Sequence, residues 1–530
     1  MVQRTQPAAL QPRLLKLVSL AVLASSLSIF AQSSDPATEA NRALAYQRAG
    51  ALDKAIATYA ALETRIAAQH KPLPPSVLAN YARALVAAGP GQLEQAAAKM
   101  KAAAAADPRN ATFEDDLGSI YARQQRWSDA QPHFAAASRL APTLAIAHLH
   151  LGLALQAQGD PKALHELARA TRLAPQNNSI ALEYGKALAA SGDDAQAATV
   201  CNAILVRDHN QADPLVIDTT YVLALALQRS GRMPDSIPLL RKVLAAQPQN
   251  AGAMINLGMA LSQTRKTSEA IPVLQHAVAL APNDVVAHQD LAAALVQANQ
   301  FADAIAELHT ALQLAPDLPQ LHYDLGFAYK MQDDATNAIP ELEAAERLDS
   351  HQAEAPYLLG VLYMQTGRYE DAARELKASL TLRPQNGDGW ATLGSVYSKL
   401  DRLPEATSAL EEAIRQLPQQ PDPHLTFAAV LVKQNKPAEA TDQRRQAAAL
   451  MKQNMHRQRA EVATHSGESL LKSGDLAGAT VQFNDALNYD SNYAEAHLGL
   501  AKIYDSQGRK TEAGAERRKA TAAQSPSSSQ

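Results

Sequence analysis

The chain has one cysteine, Cys201, in 530 residues. One thiol cannot close an intramolecular disulfide or complete an all-cysteine metal site. Cys201 falls on a core slot of the pattern described below and reads as a small buried hydrophobe. Aromatic residues are also scarce, at 5%. The apolar 47% is mostly Ala and Leu, the composition of closely packed helices. β-Branched runs bounded by turn residues are missing, which gives no basis for a sheet.

The motifs of common chemistries are missing too. There is no GxSxG, no P-loop and no GxGxxG. Asp115-Asp116 and Glu411-Glu412 are adjacent carboxylates, but neighbours on a helix diverge and make no acid–base pair. Zinc-ligand spacings do not occur. The sequence therefore predicts no catalytic residue, no metal, no cofactor and no enzymatic activity.

After residue 31 no segment is apolar enough to span a membrane. Residues 1–31 differ from the rest: Arg4, Arg13 and Lys16 precede an apolar stretch, Leu17 to Phe30, and Ala31 follows. This is the pattern of a secretory signal peptide, with cleavage expected near Ala31 and a periplasmic or secreted mature chain. The alternative is an uncleaved anchor, but the stretch is shorter than the roughly 20 residues a spanning helix needs. Direct membrane insertion after cleavage is not expected. The formal charge is -4, and removal of residues 1–31 takes away three cations and no acid, leaving -7. A mildly acidic chain matches nucleic acid poorly.

What is present is a 34-residue period from about residue 36 to the end. Gly387 to Pro418 holds Trp390, Leu393-Gly394, Tyr397, Ala406, Leu410, Ala413 and Pro418. The same slots one period earlier hold Pro356, Leu359-Gly360, Tyr363, Ala372, Leu376, Ser379 and Pro384. Fourteen copies start near 36, 76, 111, 145, 178, 217, 251, 285, 319, 353, 387, 421, 460 and 494. Each predicts two helices joined by a short turn, stacked as an array without one common core. Prolines such as Pro248 and Pro384 stop the second helix. Asn110, Asn177, Asn250 and Asn386 sit where they can cap the next first helix. Gly258, Gly326, Gly360 and Gly394 on first helices, and Ala270, Ala304, Ala338, Ala372 and Ala406 on second helices, permit close approach.

This pattern resembles the tetratricopeptide repeat family, W-x2-LG-x2-Y-x8-A-x3-F-x2-A-x4-P, with Leu410 in the aromatic slot. The resemblance covers about 36–520. It implies an all-α fold, a tetratricopeptide-repeat α-solenoid in which about 14 helix pairs form a right-handed superhelix. First helices would line its concave face, which in this family commonly binds extended peptides or partner helices. The expected layout is a signal peptide at 1–31 and a main array at 36–450. A long helix with a C-terminal repeat pair occupies 451–520, and 521–530 is a disordered tail.

Three features bear on function. His148, His288, His322, His424 and His497 share the slot of Trp390 and read as packing residues replacing an aromatic. In the family register one groove-facing slot holds Asp116, Asn256, Asp290 and Asp324, polar groups suited to a peptide backbone. Beside Asp324, neighbouring groove slots hold Tyr323, Phe327, Tyr357 and Met364, the expected hot spot of a peptide-binding groove. The stretch between Pro437 and Gly467 contains no other Pro or Gly and is locally basic. It reads as one long helix, either merely solvated or a docking site for an acidic partner. The function expected is an exported, non-enzymatic scaffold that binds a protein or peptide in its groove. The runner-up is a periplasmic chaperone or assembly factor for secreted or outer-membrane proteins or polysaccharide export. The sequence leaves the oligomeric state open.

Overall fold

Asn386 ends the turn before one helix and its side chain accepts from the backbone N–H of Gly389 at 3.0 Å. Asn250 does the same for Ala253 at 2.9 Å, and Asn110 and Asn177 cap their helices likewise. These caps recur because each first helix leaves its leading N–H groups without intrahelical partners. The structure, a computed structural model, describes residues 35–210 and 212–524. Among them there are 27 α-helices, one 3-10 turn at Pro90–Gln92 and no strand. The fold is all-α, as the period predicts. The segment read as a signal peptide and the last six residues lie outside the described residues. The final helix, Lys510–Gln524, takes in the first residues assigned to the tail.

The described chain divides into two bodies between Pro282 and Asn283. The N-terminal body has seven helix pairs, from Pro36–Arg48 with Leu52–Ala67 to Ala251–Gln263 with Thr267–Leu280. The C-terminal body makes seven pairs from 13 helices, because the 37-residue helix Pro437–Ser473 serves twice. Its first half is the second helix of one repeat, and its second half is the first helix of the next. Most repeat starts coincide with helix starts. Three are offset, at Pro75, Pro214 and Glu354, and the start expected at 460 falls inside the long helix.

Close approach inside each pair follows from the small slots. A Cβ built on Gly360 would lie 2.5 Å from Leu376 Cγ, and one on Gly258 would lie 2.3 Å from Leu274 Cγ. Ala270, Ala304, Ala338, Ala372 and Ala406 are fully buried. The turn within each pair needs one left-handed residue. Gly367 supplies it at φ 80°, and Arg265, Asn299, Asp333, Asp401 and Asn435 do so in the same slot without glycine.

The slot shared by Trp390 and the histidines proves to be a hydrogen-bonding post. Trp390 Nε1 donates to the Pro384 carbonyl at 2.9 Å. His322 Nε2 makes the corresponding contact with the Pro316 carbonyl at 2.9 Å, and His148 meets that of Pro142 at 3.1 Å. The histidines add a second contact. His148, His288, His322 and His497 each place Nδ1 against a glutamate on the paired helix, and His424 meets Gln443. The ring replaces both the bulk of the indole and its N–H.

Candidate peptide-binding face

In the N-terminal body the predicted groove slots are already engaged. Asp116, on the helix Ala111–Arg123, accepts from Arg83 Nε at 2.8 Å. Burial outweighs this guanidinium and leaves the Asp116 carboxyl above its usual range. The adjacent Asp115 faces His150 Nδ1 at 2.9 Å. Asn256 Nδ2 donates to the Gly252 carbonyl at 2.7 Å and lies 3.2 Å from the Tyr221 hydroxyl. The contacts of Asp116 with Arg83, Asp115 with His150 and Asn256 with Tyr221 tie successive first helices together.

The C-terminal body brings the other six predicted residues onto three successive first helices, Val285–Gln297, Pro319–Met331 and Glu354–Gln365. Asp324 is satisfied from both sides, by Gln289 Nε2 at 2.7 Å and Gln320 Nε2 at 2.8 Å. Burial nevertheless raises its carboxyl. Asp290 is different. Its Oδ2 is shielded from solvent and has no hydrogen-bond partner. Burial, together with the charges of Asp284 and Asp324, pushes its carboxyl up to about 7. A shielded carboxyl oxygen without a donor carries an uncompensated desolvation cost.

Tyr323 and Phe327 lie stacked, ring centroids 6.5 Å apart at 16°. Tyr357 comes from the next first helix, and Thr392 beside it donates to the Asp388 carbonyl at 2.8 Å. Met364, Tyr323, Phe327 and Tyr357 all pack as half-buried groups against the hydrophobic core of this body. They are partly committed to packing between repeats and partly open. Burial raises the phenols of Tyr323 and Tyr357. Gln289, Gln320, Arg83 and Thr392 were not singled out from the sequence. Gln289 lies 35 residues before Asp324 and Arg83 lies 33 before Asp116. Each is one position off the repeat period, so alignment of equivalent slots does not pair them.

Nothing in this arrangement collects a metal site. Among the described residues no group of three or more His, Cys, Asp or Glu side chains is placed to hold an ion. No described helix is long and apolar enough to cross a membrane.

Tetratricopeptide repeat profiles match residues 116–163, 161–214 and 221–285, and also 329–396 and 470–525. A further TPR repeat profile matches 293–333. The chain belongs to the tetratricopeptide repeat family. Repeats of this family are protein–protein interaction surfaces and generally serve as scaffolds without catalysis, and that is the class of function supported here. No curated protein matches the chain. Among solved structures, it is similar to the APC/C hetero-tetramer Cut9-Hcn1 at 14% identity and TM-score 0.35, over 80% of this chain and 96% of that one. YrrB, described as a TPR protein with an unusual peptide-binding site, matches at 21% identity and TM-score 0.31, over 35% of this chain and 95% of its own. MamA from Desulfovibrio magneticus RS-1 matches at 19% identity and TM-score 0.31, over 33% and 97%.

Proposed function

We propose that this tetratricopeptide protein is an exported, non-enzymatic scaffold that takes an extended peptide or protein segment along the first helices of its C-terminal body. The observation that carries this reading is the unpartnered Oδ2 of Asp290, beside the half-exposed row Tyr323, Phe327 and Tyr357. An incoming N–H, from a peptide backbone or a basic side chain, at the other oxygen of this carboxyl offsets the burial and the neighbouring charges that raise it. The aromatic row supplies apolar area at low entropic cost. The paired polar slots of Asp116 and Asn256 offer no such unmet demand. Export rests on residues 1–31, whose basic start, apolar run and Ala31 form the signal pattern.

The test is selection of displayed peptides on the chain. It is repeated with Tyr323→Ala/Phe327→Ala/Tyr357→Ala and with Asp290→Asn, each shown to be folded by circular dichroism. Peptides sharing a motif, bound saturably and weakened at least about tenfold by both variants, support the site. A broad set of weak apolar binders, indifferent to the variants, points to a chaperone. Export is tested by sequencing the N-terminus of the chain recovered from cells. An intact Met1 on cytoplasmic material would remove it from the proposal.

A further inference from the structure

The long helix Pro437–Ser473 changes the side it buries part-way along its length. Its first half buries Ala440 and Ala447, and its second half buries Ala460, Thr464 and Gly467. Thirteen residues separate Ala447 from Ala460, which at 3.6 per turn leaves them roughly 140° apart around the axis. Between them the helix passes from one repeat core to the next, and residues 448–459 are exposed except for Leu450 and His456.

Within and beside this crossover, six exposed residues fall in one line: Arg444, Ala448, Met451, Met455, Gln458 and Val462. Their spacings alternate 4, 3, 4, 3, 4. That alternation is the seam of a coiled coil, and it keeps to one face over about 27 Å. Met451 and Met455 are 44% and 43% exposed, and Val462 is 62% exposed. The large exposed apolar groups between 444 and 462, Met451, Met455 and Val462, all fall on this line. The positions flanking the seam on one side, the e positions of the same heptads, are Arg445, Lys452 and Arg459. Arg445 also meets Asp442 at 3.1 Å in an exposed pair, and Arg459 lies over the Tyr489 ring at 5.5 Å, so each keeps its charge at the surface. No acidic residue occurs from 443 to 460, although the chain as a whole is net acidic.

We infer that this seam docks an amphipathic helix of a protein partner whose flanking positions are acidic. Charge complementarity selects the occupant. Coiled-coil partners are chosen by charges flanking the seam, and three cations at heptad spacing call for carboxylates opposite. A second copy of the chain is disfavoured. Antiparallel self-pairing sets these cations against one another, and parallel pairing sets them against Ala447, Asn454 and Glu461, of which one is acidic. A membrane surface is disfavoured because the stripe has no Trp, Phe or Leu to anchor it among headgroups. Met side chains at the centre adapt to a partner helix.

The test uses the full chain and two labelled 21-residue peptides of three heptads, with Leu at a and d and either Glu or Lys at both e and g. Anisotropy titration is expected to show saturable binding of the Glu peptide and none of the Lys peptide. Amide exchange in residues 448–459 should slow in the complex. Met451→Glu/Met455→Glu should weaken binding at least about tenfold. Arg445→Glu/Lys452→Glu/Arg459→Glu should reverse the preference toward the Lys peptide. The substituted side chains are exposed, and a melting curve checks that the fold survives. Absence of saturable binding by the Glu peptide overturns the inference, as does binding indifferent to the Met pair. Vesicles containing phosphatidylglycerol that bind when the Glu peptide does not would assign the face to a membrane. Self-association abolished by the Met pair would assign it to a second copy.

Discussion

His148 Nδ1 lies 2.6 Å from Oε2 of Glu166 on the paired helix, and this clasp recurs as His288–Glu307, His322–Glu341 and His497–Glu516. Burial acts to raise the Glu166 carboxyl, but hydrogen bonds from His148 and His165 outweigh it and leave it lowered from 4.5. A lowered folded value means that the carboxylate stabilises the fold above the unfolded value, and that this contribution disappears as pH falls through the folded one. Glu166→Gln is expected to cost about 1 kcal/mol at pH 7. In urea titrations across pH, the difference from the parent should shrink below the ordinary glutamate range.

Gly394 tests the close approach within a pair. A Cβ there would sit 2.5 Å from Leu410 Cγ. Alanine favours a helix by about 1 kcal/mol over glycine, so propensity alone predicts that Gly394→Ala stabilises. We expect the opposite, a loss of about 1–3 kcal/mol from overpacking. Calorimetry of Gly394→Ala, Leu410→Ala and the double variant should show strong coupling, since the smaller Leu410→Ala side chain removes the clash.

The pH dependence at Asp290 runs the other way. Its carboxyl is raised to about 7 from 3.8. Below the lower value it is protonated in both states and has no effect. Between the two the unfolded chain releases its proton while the fold retains it, so stability falls as pH rises, until both forms are ionised. Asp290→Asn should therefore be more stable than the parent at pH 8, by about 1–3 kcal/mol, and equal to it near pH 3. Denaturant midpoints at the two pH values measure this directly.

Cys201 is fully buried, and burial pushes its thiol up to about 12. Since the thiolate is the reactive form, a disulfide reagent at pH 8 should modify the native chain only as fast as its repeat opens. Modification should be complete at once in denaturant. A fast reaction in the native state would place Cys201 outside the core.

The repeat pattern made the helix pairs, the Asn caps and the small contact slots legible, because each depends on residue type at a fixed position in the period. Equivalence of the Trp390 and histidine slots was legible as packing. The hydrogen bonds that justify the exchange were not, because the acceptor is a backbone carbonyl such as that of Pro316. The candidate site was legible in part. Asp116, Asn256, Asp290 and Asp324 occupy one slot, yet they differ in what their neighbours donate. Arg83, Gln289 and Gln320 decide which carboxylates are already met. The long helix was legible from its missing Pro and Gly, whereas its change of buried side depends on where two cores lie.

The helix that serves two repeats also limits how such a chain can be lengthened or shortened by genetic exchange. From Ala251 to Lys433 most helix starts recur every 34 residues, so a duplication or deletion of one period joins equivalent positions and keeps the helices in register. A crossover within Pro437–Ser473 has no turn to fall in. It would rotate one half of the helix against the other by 100° for each residue gained or lost, and one of the two flanking repeats would lose its buried face. A whole repeat can therefore be gained or lost before this helix without cutting a helix, whereas the repeats that share it stand or fall together.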